Sequence, residues 1–262
     1  MALSEGSKAL ATQGDPVKLA LVTGGHRRLG AAISARLAID GWTLAIHGAR
    51  DAIPDAALAA VLRDTNTLWY GFVADLSNEA AVAGLMPAVI AHFGQTPALL
   101  VNNAARFEDD DAASFTVETL SAHHQINAKA PVELAMALYR AGGTGSVVNI
   151  VDQRIRNPVP DQLSYSLSKA SLASATRTLA AALAPRLRVN AVAPGLTLAT
   201  GDYTPDQMNR MAAAMPLGRL PSPVEIADAV AFLASAQSVT AQTLFVDGGA
   251  SLKSFDRDFV YL

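Results

Sequence analysis

Short apolar runs alternate with longer stretches of helical periodicity from residue 19 to residue 246. The runs Leu19–Thr23, Thr43–His47, Leu68–Val73, Ala98–Val101, Ser146–Val151, Arg188–Val192 and Gln242–Val246 predict strands. Several are unbroken rather than alternating, which is the pattern of strands buried on both sheet faces. Between them, Leu29–Asp40, Asp55–Arg63, Glu79–Ala91, Val117–Tyr139, Leu163–Leu183 and Pro223–Ala234 predict helices. Gly41 stands just past the first, where a left-handed cap suits glycine. Ser222-Pro-Val-Glu225 opens the last, with proline in the first turn and Glu three residues after the cap. This order predicts an α/β domain with right-handed crossovers and a doubly wound, seven-stranded parallel sheet. No Pro/Gly/Ser-rich linker divides it, so residues 17–262 read as a single domain behind a loose N-terminal tail, residues 1–16. The stretch Leu196–Arg219 interrupts the rhythm with Gly201, Pro205 and Pro216 and carries Tyr203, Met208, Met211 and Met215. It reads either as a lid inserted after a strand or as a surface excursion with a methionine-filled packing face.

Composition narrows the class. Of 262 residues 51% are hydrophobic and 16% charged, which excludes wholesale disorder and supplies a sizeable core. The net charge of −3, without a long basic run, argues against nucleic acid as a partner. Cysteine is absent, which excludes disulfides, thiolate nucleophiles and Cys-ligated zinc together. No apolar stretch reaches the ~20 residues needed to span a bilayer, and the opening MALSEGSKALATQGDP lacks the apolar core of a secretory signal. A cytoplasmic protein without a membrane partner is the expectation. No metal site is expected either, since His123 and His124 are adjacent and cannot face one point from a helix.

The first strand runs into Thr23-Gly24-Gly25-His26-Arg27-Arg28-Leu29-Gly30, and a helix follows. A dinucleotide pyrophosphate needs a tight glycine turn, close backbone approach and a helix N-terminus aimed at its charge. Gly24 and Gly30 serve the first and last needs, whereas Arg28 stands where a middle glycine is usual. The second strand ends in His47-Gly48-Ala49-Arg50 rather than in the acidic residue that accepts the ribose hydroxyls of NAD. Arg27 and Arg50 can approach the same point, and guanidinium pairs bidentately with phosphate, so NADP(H) is the expected cofactor. The alternative leaves both arginines solvated, with Arg50 paired to Asp51. Asp75 and Leu76 after the third strand, and Asn103 and Ala104 after the fourth, suit the adenine and ribose; strand-end Asp and Asn are also ordinary turn formers.

Tyr165-Ser-Leu-Ser-Lys169 places a phenol and an ammonium one helical turn apart on one face. A phenol with a pKa near ~10 serves as an acid–base group at neutral pH only when a cation favours its phenolate. Lys169 supplies one, and Tyr165 then protonates the atom beside the hydride acceptor. Asp152, thirteen residues earlier at a strand end, converges on the same carboxyl edge of the sheet; a salt bridge to Arg154 or Arg156 is its structural alternative. Asn127, inside a predicted helix, would hold a water that relays protons to Lys169, or face solvent.

Thr23-Gly24…Gly30, Asn102-Asn103-Ala104, Asn127, Tyr165-x-x-x-Lys169 and Pro194-Gly195 together resemble the short-chain dehydrogenase/reductase family over residues 17–252. The resemblance implies a Rossmann fold, hydride transfer from a nicotinamide, Pro194 and Gly195 at the cofactor, a small-molecule substrate and a homotetramer. Asp152, where most relatives carry serine, and Arg28, where most carry glycine, resemble the pteridine reductase and dihydromonapterin reductase branch. That branch implies Phe107 stacking on a flat pterin, Arg28 facing substrate and pyrophosphate, and Asp152 with Tyr165 delivering a proton to a ring nitrogen. Ala105, where that branch commonly has serine, and the charged Arg106 and Glu108-Asp-Asp-Asp111 depart from the pattern. The other readings are a ketone or 3-oxoacyl thioester reductase of the same family, and a catalytically silent NADP sensor, which would tend to lose the tyrosine or lysine retained here. Ser254–Leu262, with Asp256, Arg257 and Asp258, extends past the Asp247-Gly-Gly249 turn. In tetrameric relatives such a tail approaches a neighbouring subunit's site, and a frayed tail is the other reading.

Overall fold

The computed structural model describes residues 18–198 and 203–261. The N-terminal tail, Gly201 of the expected lid and Leu262 lie outside the described residues. Seven strands, β1 (Leu19–Val22), β2 (Thr43–Gly48), β3 (Trp69–Val73), β4 (Leu99–Asn102), β5 (Gly145–Ile150), β6 (Leu187–Pro194) and β7 (Thr243–Val246), form one sheet in the order β3-β2-β1-β4-β5-β6-β7. Every pairing is parallel. The four residues of β1 show why the runs are unbroken. Leu19 and Leu21 enter the apolar layer on one face, Ala20 and Val22 that on the other.

Helices α1 (Arg28–Ile39), α2 (Ala56–Asp64), α3 (Glu79–Phe93), α4 (Val117–His124), α5 (Ala130–Arg140), α6 (Leu163–Leu183), α7 (Pro205–Ala214) and α8 (Pro223–Ser235) cover both faces. Their starts are chemically specified. Asp55, Asn78 and Thr116 each accept a first-turn N–H, and Ser222 with Glu225 forms the expected reciprocal capping box. A second such box, Thr204 with Gln207, opens α7 inside the lid stretch.

One expected element is corrected. The continuous helix over Val117–Tyr139 is instead α4 and α5 joined by a π-helical turn at Gln125–Lys129. Such a turn widens the helix locally and re-aims its side chains, and Asn127 sits within it. A buried amide chain then ties the central strands to α6: Asn102 Nδ2 donates to Asn149 Oδ1 (2.8 Å), and Asn149 Nδ2 donates to Thr176 Oγ1 (2.9 Å).

The chain winds outward in both directions from the β1/β4 boundary, leaving a crevice beyond the carboxyl ends of those strands. The candidate site lies there.

Candidate active site

A cavity of about 890 Å³ follows that crevice. At one end lies the glycine loop. Gly24 turns with φ +60, and a Cβ on Gly30 would stand 1.9 Å from the Gly24 carbonyl, so the loop closes only on glycine. The end of β4 locks it: Thr23 Oγ1 accepts both the Asn103 and Ala104 N–H (2.9 and 3.0 Å), while Asn103 Nδ2 donates to the carbonyls of Thr23 and Gly24. Arg28, at the position where a middle glycine is usual, adopts the left-handed conformation (φ 53), and both Arg27 and Arg28 are exposed on the cavity wall. Among the described residues no side chain caps helix α1, whose first turn follows directly on the glycine loop.

His47 is almost wholly buried (1% exposed). Its Nδ1 accepts the Gly24 N–H (3.2 Å), and its Nε2 pairs with the Ala74 carbonyl (2.8 Å). Burial therefore holds the imidazole below its ordinary pKa, and both ring nitrogens serve the backbone. His47 lines the cavity as a brace of the glycine turn. His26 also lines it, with Nδ1 buried and lacking a hydrogen-bond partner among the described residues. Arg50 is exposed and lies outside the wall, beside Ala49, which is part of it. Asp51 turns instead to the Ile53 N–H and lies 3.8 Å from His26 Nε2. Asp75 lines the cavity with its carboxyl held below the usual range, by the Ser77 N–H first and the Arg50 charge last. Leu29, Leu76, Asn103, Ala104, Pro194 and Gly195 also line this end of the cavity.

At the other end Tyr165, Lys169, Asp152 and Phe107 meet. The Tyr165 hydroxyl donates to Asp152 Oδ2 (3.0 Å), so the strand end and α6 do converge. Lys169 Nζ donates to the Ile150 carbonyl (2.8 Å) and stands 5.6 Å from the centre of the Tyr165 ring. Burial, aided by the Asp152 charge, pushes the Tyr165 phenol well above its ordinary value, and burial draws Lys169 down to about 8. Burial first, and then the charge of Asp152, thus act against the lowering of the phenol expected from Lys169. Arg154 settles the structural alternative for Asp152. Its Nε lies 3.9 Å from Asp152 Oδ1, whereas Arg156 lies over the Phe245 ring at 3.9 Å. Phe107 is 50% exposed and meets the Tyr165 ring edge to face, with centroids 4.8 Å apart.

Asn127 stays outside the wall. Its Oδ1 accepts the Arg106 N–H (2.7 Å), and its Nδ2 donates to the Arg106 carbonyl and to Ser168 Oγ (both 2.9 Å). The amide thus pins the loop carrying Phe107 to the residue preceding Lys169.

Sequence reasoning missed the roof. Asp258, Phe259, Val260 and Tyr261 line the cavity together with Gln162 and Arg154. The tail expected to reach a neighbouring subunit, or to fray, folds over the site of its own chain. The signal available was the Asp152-x-Arg154 spacing, which places a cation beside the carboxyl that needs one.

This cradle, with a tyrosine, lysine and carboxyl at the far end, defines a nucleotide-dependent oxidoreductase site. Residues 25–251 match a family model described as enoyl-(acyl carrier protein) reductase, and the chain belongs to the short-chain dehydrogenase/reductase family. Among solved structures it resembles FolM alternative dihydrofolate reductase 1 from Brucella suis in complex with NADP (38% identical, TM-score 0.84, covering 91% of this chain and 96% of that one). The Brucella canis counterpart, also complexed with NADP, is 37% identical with a TM-score of 0.80, covering 90% of this chain and 95% of that one. The 3-oxoacyl-[acyl-carrier-protein] reductase of Pseudomonas aeruginosa is 33% identical over 246 residues, 88% of this chain and 96% of its own length. No helix among the described residues is long and apolar enough to cross a membrane.

Proposed function

We propose that the protein is an NADPH-dependent reductase acting on a C=N or C=O of a small, flat, pteridine-like substrate. The observation that carries this reading is the 3.0 Å hydrogen bond from Tyr165 to Asp152. A ring imine is more basic than a ketone, and a carboxyl coupled to a phenol suits delivery of a proton to nitrogen. Gly24, Gly30, Asn103 and the N-terminus of α1 would hold the pyrophosphate. Arg27 and Arg28 supply positive charge at that end, and no acidic residue ends β2 to repel a 2′-phosphate. The nicotinamide supplies the hydride when bound.

Tyr165 passes its phenol proton to the nitrogen or oxygen beside the reduced carbon. Lys169, an ammonium held near 8, is matched at neutral pH to replace that proton. Arg154 balances the negative charge of Asp152 at the same point. Phe107 offers an aromatic face to a flat ring. The two NADP-complexed relatives support the cofactor assignment, and their name supports a pterin-like substrate.

A second reading, reduction of ketones or 3-oxoacyl thioesters, draws on the family description and the Pseudomonas relative. The assay that decides follows NADPH absorbance with dihydrobiopterin and dihydromonapterin against 3-oxoacyl thioesters and ketones, with NADH as control. Turnover confined to thioesters or ketones would overturn the pteridine reading. A faster rate with NADH would overturn the cofactor assignment.

A further inference from the structure

We infer that residues Phe255–Tyr261 form the specificity wall of the active site in cis, and that Asp258 is the positioning residue that holds this wall through Arg154. The inference rests on the reading of the cavity as a reductase site and adds what decides how large a substrate it accepts.

A segment beyond the last sheet strand has no ladder to hold it and ordinarily frays. This one is anchored by charge. Asp258 is 2% exposed, and its carboxylate accepts from the Arg154 guanidinium, itself 9% exposed. The Asp258 N–H donates to Asp161 Oδ2 (2.7 Å), and the Val260 N–H returns to Asp258 Oδ1 (3.1 Å). Arg257 pairs with Asp161 (2.8 Å), and the Tyr261 hydroxyl donates to Asp109. Phe259 packs with Met211 of α7 and with Met215.

The same guanidinium joins wall to chemistry. Arg154 Nη1 donates to Gln162 Oε1 (3.1 Å), and Gln162 Nε2 donates to Asp109 Oδ1 (3.0 Å). Its charged carbon lies 5.6 Å and 5.8 Å from the ring centres of Tyr165 and Phe107. Gln162 holds the left-handed conformation (φ 48) at the start of α6, a strained geometry that surrounding contacts must enforce. Burial works against the Arg154 charge, and the neighbouring Asp152 and Asp258, followed by Tyr165 and Tyr203, more than offset it. A buried cation with two anions loses much when one is removed, so neutralising Asp258 detaches the segment and leaves Arg154 with Asp152 alone.

The test compares wild type with Asp258→Asn, Asp258→Glu and a chain truncated after Lys253, on two size-graded series. One series runs from dihydropterin through dihydrobiopterin to dihydrofolate, the other from short to long 3-oxoacyl thioesters. Asp258→Asn and the truncation should shift the long-to-short ratio of kcat/KM at least tenfold toward the long member, chiefly through KM, with the Kd for NADPH within twofold of wild type. Asp258→Glu should restore the wild-type ratio. Ratios unchanged within twofold in both opened variants overturn the inference. Activity on thioesters alone defeats the pteridine reading and leaves the wall to be judged on that series. Absence of turnover on both series defeats the reductase reading, and hydrogen exchange then decides. Amides of residues 255–261 protected in wild type and released in Asp258→Asn uphold the anchoring, and free-chain exchange in wild type overturns it.

Discussion

Two buried groups of opposite tendency face each other at the reacting end. Tyr165 holds its proton well above the ordinary phenol range, chiefly through burial, while burial lowers Lys169 to about 8. Replacing Tyr165 by Phe removes the proton donor and little volume, so turnover should fall by about 10²–10⁴-fold, with NADPH binding unchanged in a fluorescence titration. Lys169 has a stability signature of its own. An unfolded lysine stays protonated up to about 10.4, so between pH 8 and 10 the unfolded chain binds the extra proton and stability rises with pH. Above pH 10 the sign reverses, because the unfolded phenol of Tyr165 ionises before the folded one. Denaturant titrations of wild type and Lys169→Met should therefore converge between pH 8 and 10 in wild type's favour, and parallel curves would count against a buried ammonium. At this scale the sequence was legible where spacing carries meaning, as in Asp152, Tyr165 and Lys169. His47 shows the limit: that its two nitrogens brace the Gly24 turn and the Ala74 carbonyl while it lines the cavity could not be read from its place at a strand end.

Elements followed from period and caps, and every strand ended within two residues of its apolar run. The break at Gln125–Lys129 was not legible, because a π turn preserves the apolar stripe on either side of it and alters only the local winding. Its effect reaches the site: Asn127 points to Arg106 and Ser168 and fixes the Phe107 loop. Helix α8 offers a test of cap chemistry. Glu225 accepts from the Ser222 N–H (2.9 Å) and pairs with Arg219, which together hold its carboxyl at about 2. Glu225→Ala should cost about 0.5–2 kcal/mol, measured by urea unfolding at pH 7. The deficit should shrink as pH falls through about 2, where wild type also loses the charge.

On the scale of the molecule, the cavity draws on the segments after β1, β2, β3, β4, β5 and β6 and on the segment beyond β7. Ligand binding to such a site is linked to global rather than local unfolding, and NADPH at 100 times its Kd should stabilise the fold by about 2.7 kcal/mol. A thermal shift that rises with NADPH and scarcely with NADH would show this linkage. The doubly wound order could be read from alternating runs, because crossover handedness leaves few topologies open. The roof could not, since its hold depends on Arg154 and Asp258, 104 positions apart. That separation bears on biosynthesis. The nucleotide cradle after β1 to β4 leaves the ribosome before the residues roofing the far end, so a nascent chain can present its cofactor grip before the wall inferred to discriminate among acceptors exists.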